Sequence, residues 1–416
     1  MHVATNIFVV GLLVFVAHAF IGIFSRTRVP DVLFLTIIGI LLGPVFHLVK
    51  PENFGAVGPV FATITLIILL FEAGLSLDLD ILRGAIKATV ALTLTNFVLT
   101  MAAVAVATHF LTGVNIQLTL VLGAIIGSTS PAVILPLTKR LSMAQSSKTI
   151  VFLESALSDV LSIVIAISLM GSLRQGSIRF GQMFGQIVAT IIIPGLAGAL
   201  GALLWSALLK RIRGLENSMF TTPAFVFVLF GVVELLGFSG YVAAVVFGGV
   251  LGNMESFHRV SWMRRVLPRE AITLDEPERV FLAEVVFLLK TFFFVYVGVS
   301  IKFTDTRLVL IGLALTGVIF LVRIPAAWLG LSRKTPPRDA ALISILTPKG
   351  LAAVVLASMP LNQNLPDGEM LRDVTYVVVF LSIVFTSILS FLLERTALVR
   401  LYLLPFRGFG RSTPPA

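Results

Sequence analysis

The chain has 416 residues, of which 57% are hydrophobic and only 12% are charged, with a net charge of +10. Because charged residues supply about a quarter of an average soluble domain, this composition excludes a soluble globular protein and predicts a polytopic membrane protein. The absence of cysteine excludes disulfides, thiolate metal sites and thiol catalysis, and the basic residues fall between apolar runs, which favours a lipid bilayer rather than nucleic acid as their partner.

Apolar runs predict an all-α fold with about thirteen membrane spans, because a helix of about 20 residues crosses the bilayer core. In chain order the predicted spans cover residues 6–24, 31–49, 56–77, 85–110, 117–138, 149–173, 182–209, 219–237, 239–253, 280–301, 306–331, 340–359 and 371–393. We expect these spans to form one transport domain that includes nearly the whole chain.

The lysines and arginines predict the orientation of these spans. If the N-terminus is outside, most of the 31 basic residues lie in cytoplasmic segments and few lie outside, as the positive-inside rule requires. The sequence therefore predicts a multi-pass protein of the plasma or inner membrane, with an external N-terminus and a cytoplasmic C-terminus.

The fifth and twelfth spans are each predicted to break near the middle. The fifth contains Gly127-Ser128-Thr129-Ser130-Pro131, and the twelfth contains Thr347-Pro348-Lys349-Gly350. Proline removes an amide hydrogen and clashes with the preceding turn, so each helix is expected to unwind there. An ordinary proline kink is the alternative for either break alone. Matched interruptions in two halves of a chain are typical of an inverted-repeat transporter with its binding site at the midplane.

The sixth span carries a carboxylate near the middle of the membrane, since Asp159 lies about 15 Å from the start of its span. Such a group costs at least about 2.5 to 3.5 kcal/mol on insertion scales, so it marks a functional site. Ser155, Ser158 and Ser162 share one helical stripe with Asp159. Oxygen ligands around one carboxylate suit a small hard cation or a proton. A helix contact around a permanently protonated Asp159 is the alternative.

Other polar residues lie at a similar predicted depth. Counted from the cytoplasmic ends of their spans, five fall within roughly 8 to 15 Å and are able to share one layer: Glu72, Thr129, Asp159, Arg323 and Lys349. Glu234 falls near the outer end of its span and is expected to be an interfacial or dimer-contact residue. Lys290 is expected to form a structural salt bridge or to snorkel towards the membrane surface.

Taken together, these motifs resemble the monovalent cation/proton antiporter superfamily, and most closely its sodium/proton branch of NhaP type. The resemblance covers nearly the whole chain, and its most specific motifs are Phe71-Glu72-Ala73-Gly74, Thr129-Ser130-Pro131, Glu154-Ser155, Ser158-Asp159, Gly298-Val299-Ser300, Arg323 and Pro348-Lys349-Gly350-Leu351. It implies a fold of about thirteen helices, a homodimer and a role in pH homeostasis.

The resemblance also implies a division of the chain into a fixed and a mobile part. The dimerisation scaffold would comprise residues of about 1–80 and 215–301, and the mobile core about 85–173 and 306–394. A linker helix at about 182–209 would join them, followed at the end of the chain by a short cytoplasmic tail, 395–416. The core would move against the scaffold and carry the ion like an elevator.

By the same resemblance, Asp159 is the shared carrier of ion and proton. Ser155, Thr129 and Glu72 would complete the Na⁺ shell with it, and Ser130 and Ser158 would support the site. Glu154 would pair with Arg323 as a brace, and Lys349 would offset the negative ends of half-helices. No cofactor is implied, because Na⁺ and H⁺ are the transported substrates.

One position departs from the family pattern. Electroneutral relatives usually carry Asn-Asp at the site and electrogenic relatives Asp-Asp, whereas this chain carries Ser158-Asp159. Serine cannot become a second charge, which favours an electroneutral exchange of one Na⁺, or possibly Li⁺, for one H⁺. The loss of the asparagine amide leaves open how the Glu154–Arg323 brace is held.

Two other classes of function remain open. A K⁺/H⁺ antiporter or K⁺ efflux system of the same superfamily would use the same oxygen ligands. A membrane-embedded ion sensor or channel would bind or leak the ion without proton coupling. An enzyme is not expected, because no histidine lies at the depth of Ser155 and Asp159 and no substrate groove is indicated.

Overall fold

The computed structural model of the protein describes residues 11, 12, 14–19, 31–51, 57–77, 79–174, 180–214, 218–255, 273–302, 305–396 and 398–410. Every regular element in these ranges is a helix, which confirms the predicted all-α fold. Most of the first predicted span and most of the basic loop between residues 254 and 279 lie outside the described residues.

The described residues include fifteen α-helices, labelled here in chain order. They are α1 Asp31–Ile40, α2 Val57–Leu75, α3 Leu79–Thr112, α4 Ile116–Ile126, α5 Pro131–Arg140, α6 Gln145–Arg174, α7 Phe180–Ile212, α8 Thr221–Leu235, α9 Gly240–Gly252, α10 Glu276–Ser300, α11 Thr306–Gly330, α12 Pro337–Ile343, α13 Leu351–Asn362, α14 Gly368–Arg395 and α15 Leu398–Leu403. A π-helical turn, Leu41–Val45, follows α1, and short 3₁₀ turns precede α8 and follow α15.

The number of spans is close to the prediction within the described residues. Eight helices there are long and apolar enough to cross a membrane, and four shorter apolar helices accompany them. Several helices are longer than the apolar segments from which they are predicted. Helix α3 begins at Leu79 and α6 at Gln145, whereas the predicted spans begin at residues 85 and 149. Hydropathy marks the hydrocarbon layer, whereas a helix continues into the headgroup region until its backbone is capped.

Both predicted breaks are present. The fifth span is split into α4 and α5, and the twelfth into α12 and α13, with non-helical backbone between the members of each pair. Proline opens α5 as Pro131, where its missing amide hydrogen is not needed. The chain therefore has two interrupted spans in corresponding places of two halves.

Helix packing divides the described residues into two groups. In one, α3 packs on α4, α6 and α11, and α14 packs on α11 and α13. In the other, α2 packs on α9 and α10, and α1 packs on α10. Helix α7 lies against both α6 and α9, so it connects the groups along the chain and in space.

Glycines allow the closest approaches within the second group. A Cβ atom at Gly39 of α1 would meet the carbonyl oxygen of Val295 and come within 2.8 Å of the Gly298 Cα of α10. A Cβ atom at Gly74 of α2 would meet the Val245 carbonyl oxygen of α9. Small residues let membrane helices approach until backbones touch, which suits a rigid unit.

Replacing one of these glycines is expected to destabilise the protein. Gly39→Ala places a methyl group into the α10 backbone, and overpacking of this kind costs about 1 to 3 kcal/mol. The matched control is Gly231→Ala in α8, where a Cβ atom meets nothing within 4 Å and the helix gains up to about 1 kcal/mol. Thermal melting in detergent should fall for the first variant only; equal melting of both would contradict the tight contact.

Candidate functional site

The two helix interruptions cross and touch each other. The Ser130 amide donates a hydrogen bond of 2.8 Å to the Pro348 carbonyl. The side chain of Ser130 occupies the space that a Cβ atom at Gly350 would need, so a side chain at 350 would separate the two segments. The glycine and the backbone hydrogen bond together hold both unwound stretches at one point.

Lys349 lies inside this crossing with 0% of its surface exposed. Its Nζ donates a hydrogen bond of 2.8 Å to the carbonyl oxygen of Ser128, just beyond the end of α4. Its backbone amide donates to Ser382 Oγ of α14 at 2.9 Å. The amine thus sits at the carbonyl end of a half-helix, where partial negative charge accumulates.

Asp159 faces a cavity between the two helix groups. The carboxyl group is 8% exposed, Ser128 is a hydrogen-bonding neighbour, and Lys349 and Glu154 are its interacting charges. The cavity has a volume of about 560 Å³ when the open solvent space at its mouth is included, and its lining includes Glu72, Ser130, Pro131, Asp159 and Leu351. Pro131 and Leu351 open α5 and α13, so two positive helix ends converge on the cavity.

The remaining predicted ligands, Ser155 and Thr129, are fully buried and lie outside the cavity lining. Ser155 Oγ donates to the Phe152 carbonyl at 2.7 Å, which leaves the lone pairs of its oxygen for a cation. The Thr129 amide donates to Ser158 Oγ at 3.1 Å, and Ser158 Oγ donates to the Ser155 carbonyl at 3.0 Å. Ser158 therefore ties the first interruption to α6.

Ser162, the fourth member of the polar stripe, serves a different purpose. Its hydroxyl donates to the carbonyl oxygens of Ala124 and Ile125 at 2.7 and 3.2 Å. These are among the last carbonyls of α4, which lose their helical partners at the break. Ser162 therefore caps α4 rather than lining the cavity wall.

Glu154 and Arg323 form an ion pair in which both side chains are 0% exposed. Arg323 Nη1 donates to Glu154 Oε1 at 2.9 Å and Nη2 to Oε2 at 3.1 Å, a bidentate arrangement. Its Nε donates to the carbonyl of Ile343, the last residue of α12, at 3.2 Å. The structure thus brings the two predicted partners together and adds a contact to the second interruption.

Two side chains of the site have contacts that are not predicted from the sequence. Ser128 approaches the Asp159 carboxyl group, and Asn96 of α3 donates to Glu154 Oε1 at 3.1 Å. A signal for Asn96 exists, because Thr89, Thr93, Asn96 and Thr100 repeat at helical spacing and all four are buried. Such a stripe of neutral polar side chains is missed when only ionisable residues are considered.

Glu234 lies at the turn between α8 and α9, away from the cavity lining. Its Oε1 accepts a hydrogen bond of 2.8 Å from the amide of Gly240, the first residue of α9. This contact satisfies one orphan amide at the start of the helix. Glu234 therefore caps a helix in the structure, a role that its depth alone does not predict.

A family model described as "Sodium/hydrogen exchanger, transmembrane" matches residues 11–395. Among curated proteins, the chain is 25% identical over 386 residues to the K(+)/H(+) antiporter NhaP of Alkalimonas amylolytica. That alignment covers 91% of this chain and 64% of the relative, so the chain spans somewhat less than two thirds of its length. It is 24% identical over 370 residues to Na(+)/H(+) antiporter 1 of Methanocaldococcus jannaschii, covering 83% of this chain and 81% of that protein.

Among solved structures, the fold is similar to that of the sodium proton antiporter MjNhaP1 from Methanocaldococcus jannaschii at pH 8. The TM-score is 0.73 at 21% identity, and the superposition covers 98% of this chain and 100% of that chain. With the family match over residues 11–395, this chain belongs to the sodium/hydrogen exchanger family.

Proposed function

We propose that the protein is a secondary antiporter that exchanges Na⁺ or Li⁺ for H⁺. The observation that carries the proposal is the placement of Asp159, a carboxyl group 8% exposed that faces a cavity at the crossing of two interrupted helices. Unwound backbone at membrane depth exposes carbonyl and amide groups that an ion is able to use. A carboxylate at the crossing of two interrupted helices is typical of a transporter rather than an enzyme.

The proposed cation shell comprises Asp159, Ser155, Thr129 and Glu72. Asp159 and Glu72 line the cavity, whereas Ser155 and Thr129 are fully buried outside its lining. Hydroxyl, carboxylate and backbone oxygens are the ligands that alkali cations use in place of water. Ser130 and Lys349 hold the crossing, Ser158 holds Thr129, and Glu154 with Arg323 braces the core.

Exchange follows from competition at a single carboxylate. A proton and a metal ion neutralise Asp159 in mutually exclusive ways, and the anionic group without either would carry an uncompensated charge through a low-dielectric barrier. If the core crosses only when Asp159 is neutral, each crossing carries one ion or one proton. The coupling thus comes from the energetic cost of an empty, charged carrier.

The two helix groups support an elevator movement. The proposed scaffold, residues of about 1–80 and 215–301, contains the glycine contacts of α1 with α10 and of α2 with α9. The proposed core, about 85–173 and 306–394, contains the crossing and Asp159. The cavity lies between α2 of the scaffold and α5, α6 and α13 of the core, so sliding of the core would close it on one side. A homodimer would hold the scaffold still.

The predicted membrane orientation indicates the side of the membrane to which the cavity opens. With a cytoplasmic C-terminus, α5 runs from mid-membrane to the cytoplasm, and α2 ends at the cytoplasmic side. The cavity lining reaches Leu135 of α5 and Ser76, just beyond the end of α2. The structure would accordingly be the inward-facing state, with Asp159 open to the cytoplasm.

The stoichiometry is tested in proteoliposomes by Na⁺-driven proton movement, with and without an imposed membrane potential. One Na⁺ for one H⁺ moves no net charge, so we expect the rate and the end point to be unchanged by the potential. Glu72→Gln is the informative variant, because Glu72 is a second acid at the same cavity. If the membrane potential drives exchange in wild type but not in Glu72→Gln, the exchange is electrogenic and Glu72 carries the additional charge. That result would overturn the electroneutral assignment.

K⁺/H⁺ exchange is the second candidate, favoured by the similarity to the K(+)/H(+) antiporter NhaP of Alkalimonas amylolytica. The same assay with Li⁺, Na⁺ and K⁺ at equal concentration decides between them. Exchange with K⁺ but not with Na⁺ would reassign the substrate while leaving Asp159 as the carrier. Cation flux without proton movement would instead indicate a channel, and binding without flux a sensor.

A further inference from the structure

The Glu154 carboxylate receives hydrogen bonds from three separate elements. Besides Arg323 of α11, Asn96 Nδ2 of α3 donates to Oε1 at 3.1 Å, and Thr129 Oγ1 of the first interruption donates to Oε1 at 3.5 Å. Asn96 is fully buried at 0% exposure. A buried carboxylate needs its lone pairs filled, so removal of any one donor leaves it under-satisfied.

The orientation of the Asn96 amide is fixed from its other side. Thr100 Oγ1, one turn further along α3, approaches Asn96 Oδ1 at 3.4 Å. An ionised carboxylate only accepts, so the contact with Glu154 requires the amide nitrogen to face it. The Thr100 hydroxyl, which is able to donate or accept, then donates to the amide oxygen. The Asn96 side chain is therefore held in one pose by two partners.

Thr129 depends on these side chains because it lies outside any helix. Its amide donates to Ser158 Oγ and its hydroxyl to Glu154 Oε1. A residue in unwound backbone keeps its place only through such contacts. A shift of the Glu154 carboxylate would therefore move Thr129 relative to Asp159.

We propose that Asn96 is a positioning residue for the cation site. It holds Glu154 so that Glu154 and Ser158 together fix Thr129 beside Asp159. In this chain Ser158 binds the Thr129 amide and Asn96 supplies an amide nitrogen to Glu154. A single asparagine at position 158 would have to make both contacts. The inference rests on the proposed function, because Thr129 matters for exchange only as a cation ligand.

The experiment compares Na⁺ dependence of exchange in proteoliposomes for wild type, Asn96→Ala and Asn96→Ala/Ser158→Asn. We expect Asn96→Ala to raise the apparent KM for Na⁺ by about tenfold, the loss of one hydrogen bond to a charged group, with a smaller change in kcat. The double variant should restore most of the wild-type KM, because an asparagine one helical turn from Glu154 reaches both Glu154 and Thr129. Li⁺ and K⁺ are assayed in parallel.

The matched control is Thr93→Ala, a buried residue of the same helix whose hydroxyl donates only within α3, to the Thr89 carbonyl at 2.8 Å. Its KM should equal that of wild type. If Asn96→Ala does not yield folded protein, Thr100→Val replaces it, since it keeps Asn96 and removes the contact to Oδ1; a KM rise in that variant supports the proposal.

An unchanged KM in Asn96→Ala, or in Thr100→Val where that variant replaces it, would overturn the proposal. A rise that Ser158→Asn does not reverse would also overturn it, since it would indicate general loosening of α3. Both results require wild type to exchange cations for protons. Wild type that exchanges none of the three cations would instead overturn the proposed function, and this inference with it.

Discussion

Asp159→Asn is expected to abolish cation/proton exchange while the protein remains folded. The amide has nearly the shape of the carboxyl group, but it neither binds a proton nor carries the charge that attracts a cation. Both halves of the exchange are lost together, because one group serves both. In proteoliposomes the variant should show no proton movement above the background of empty vesicles when a Na⁺ gradient is applied.

The folded state and the binding step are tested separately. Na⁺ stabilises a protein that binds it by RT ln(1 + [L]/Kd), about 2.7 kcal/mol at 100 times Kd. Wild type should therefore melt at a higher temperature in Na⁺ than in choline, and Asp159→Asn should melt at one temperature in both.

Glu234→Gln is the matched control for the loss of a carboxylate in a membrane span. Glu234 accepts the Gly240 amide through Oε1, a contact that a glutamine oxygen preserves, and exchange should remain at the wild-type rate. Exchange at near-normal rate in Asp159→Asn would remove Asp159 from the carrier role and with it the single-site mechanism.

Arg323→Ala is expected to lower the free energy of unfolding by about 3 to 5 kcal/mol, the range for removing one partner of a buried ion pair. Both Arg323 and Glu154 are 0% exposed, so the remaining carboxylate cannot turn to water. The carbonyl of Ile343 also loses one of its two donors and keeps the Leu346 amide, which loosens the end of α12. The measurement is thermal or denaturant unfolding in a fixed detergent.

Two comparisons separate the buried charge from other effects. Lys302→Ala removes an amine that is about half exposed and pairs with Glu369 and with Asp373. Asp373 keeps its contact with Arg372, so this variant should lose about 0 to 1 kcal/mol. Arg323→Ala/Glu154→Gln should recover part of the loss, because no uncompensated charge remains. If Arg323→Ala melts like wild type, the ion pair does not stabilise the core.

Much of this architecture is predictable from local chemistry. Proline and glycine weaken helices, so the interruptions before Pro131 and Gly350 are predictable, although Pro194-Gly195 lie inside the continuous helix α7. Asp159 stands out because a lone carboxylate in an apolar run has few structural explanations. The family match over residues 11–395 confirms the resemblance that these motifs indicate.

The missed features are those that depend on distant pairing. Asn96 and Glu154 lie 58 positions apart, and Lys349 and Ser128 lie 221 apart. The sequence around one residue does not indicate its partner, because the contact forms only when distant parts of the chain pack together. The capping role of Ser162 is not predictable for the same reason: helical spacing places it on the stripe of Asp159, but the end of α4 lies beside it only in the packed structure. Roles of the individual cavity residues remain predictions.

The hydrogen bond from the Ser130 amide to the Pro348 carbonyl makes the two halves of the chain interdependent. Each unwound stretch lacks the repetitive hydrogen bonding of a helix, and each uses the other as part of its support. Local melting of one would therefore expose the other, so the pair forms one cooperative unit with a shared opening energy. If the site binds a cation as proposed, the two stretches would hold it as one unit, and its release would require movement of the surrounding helices.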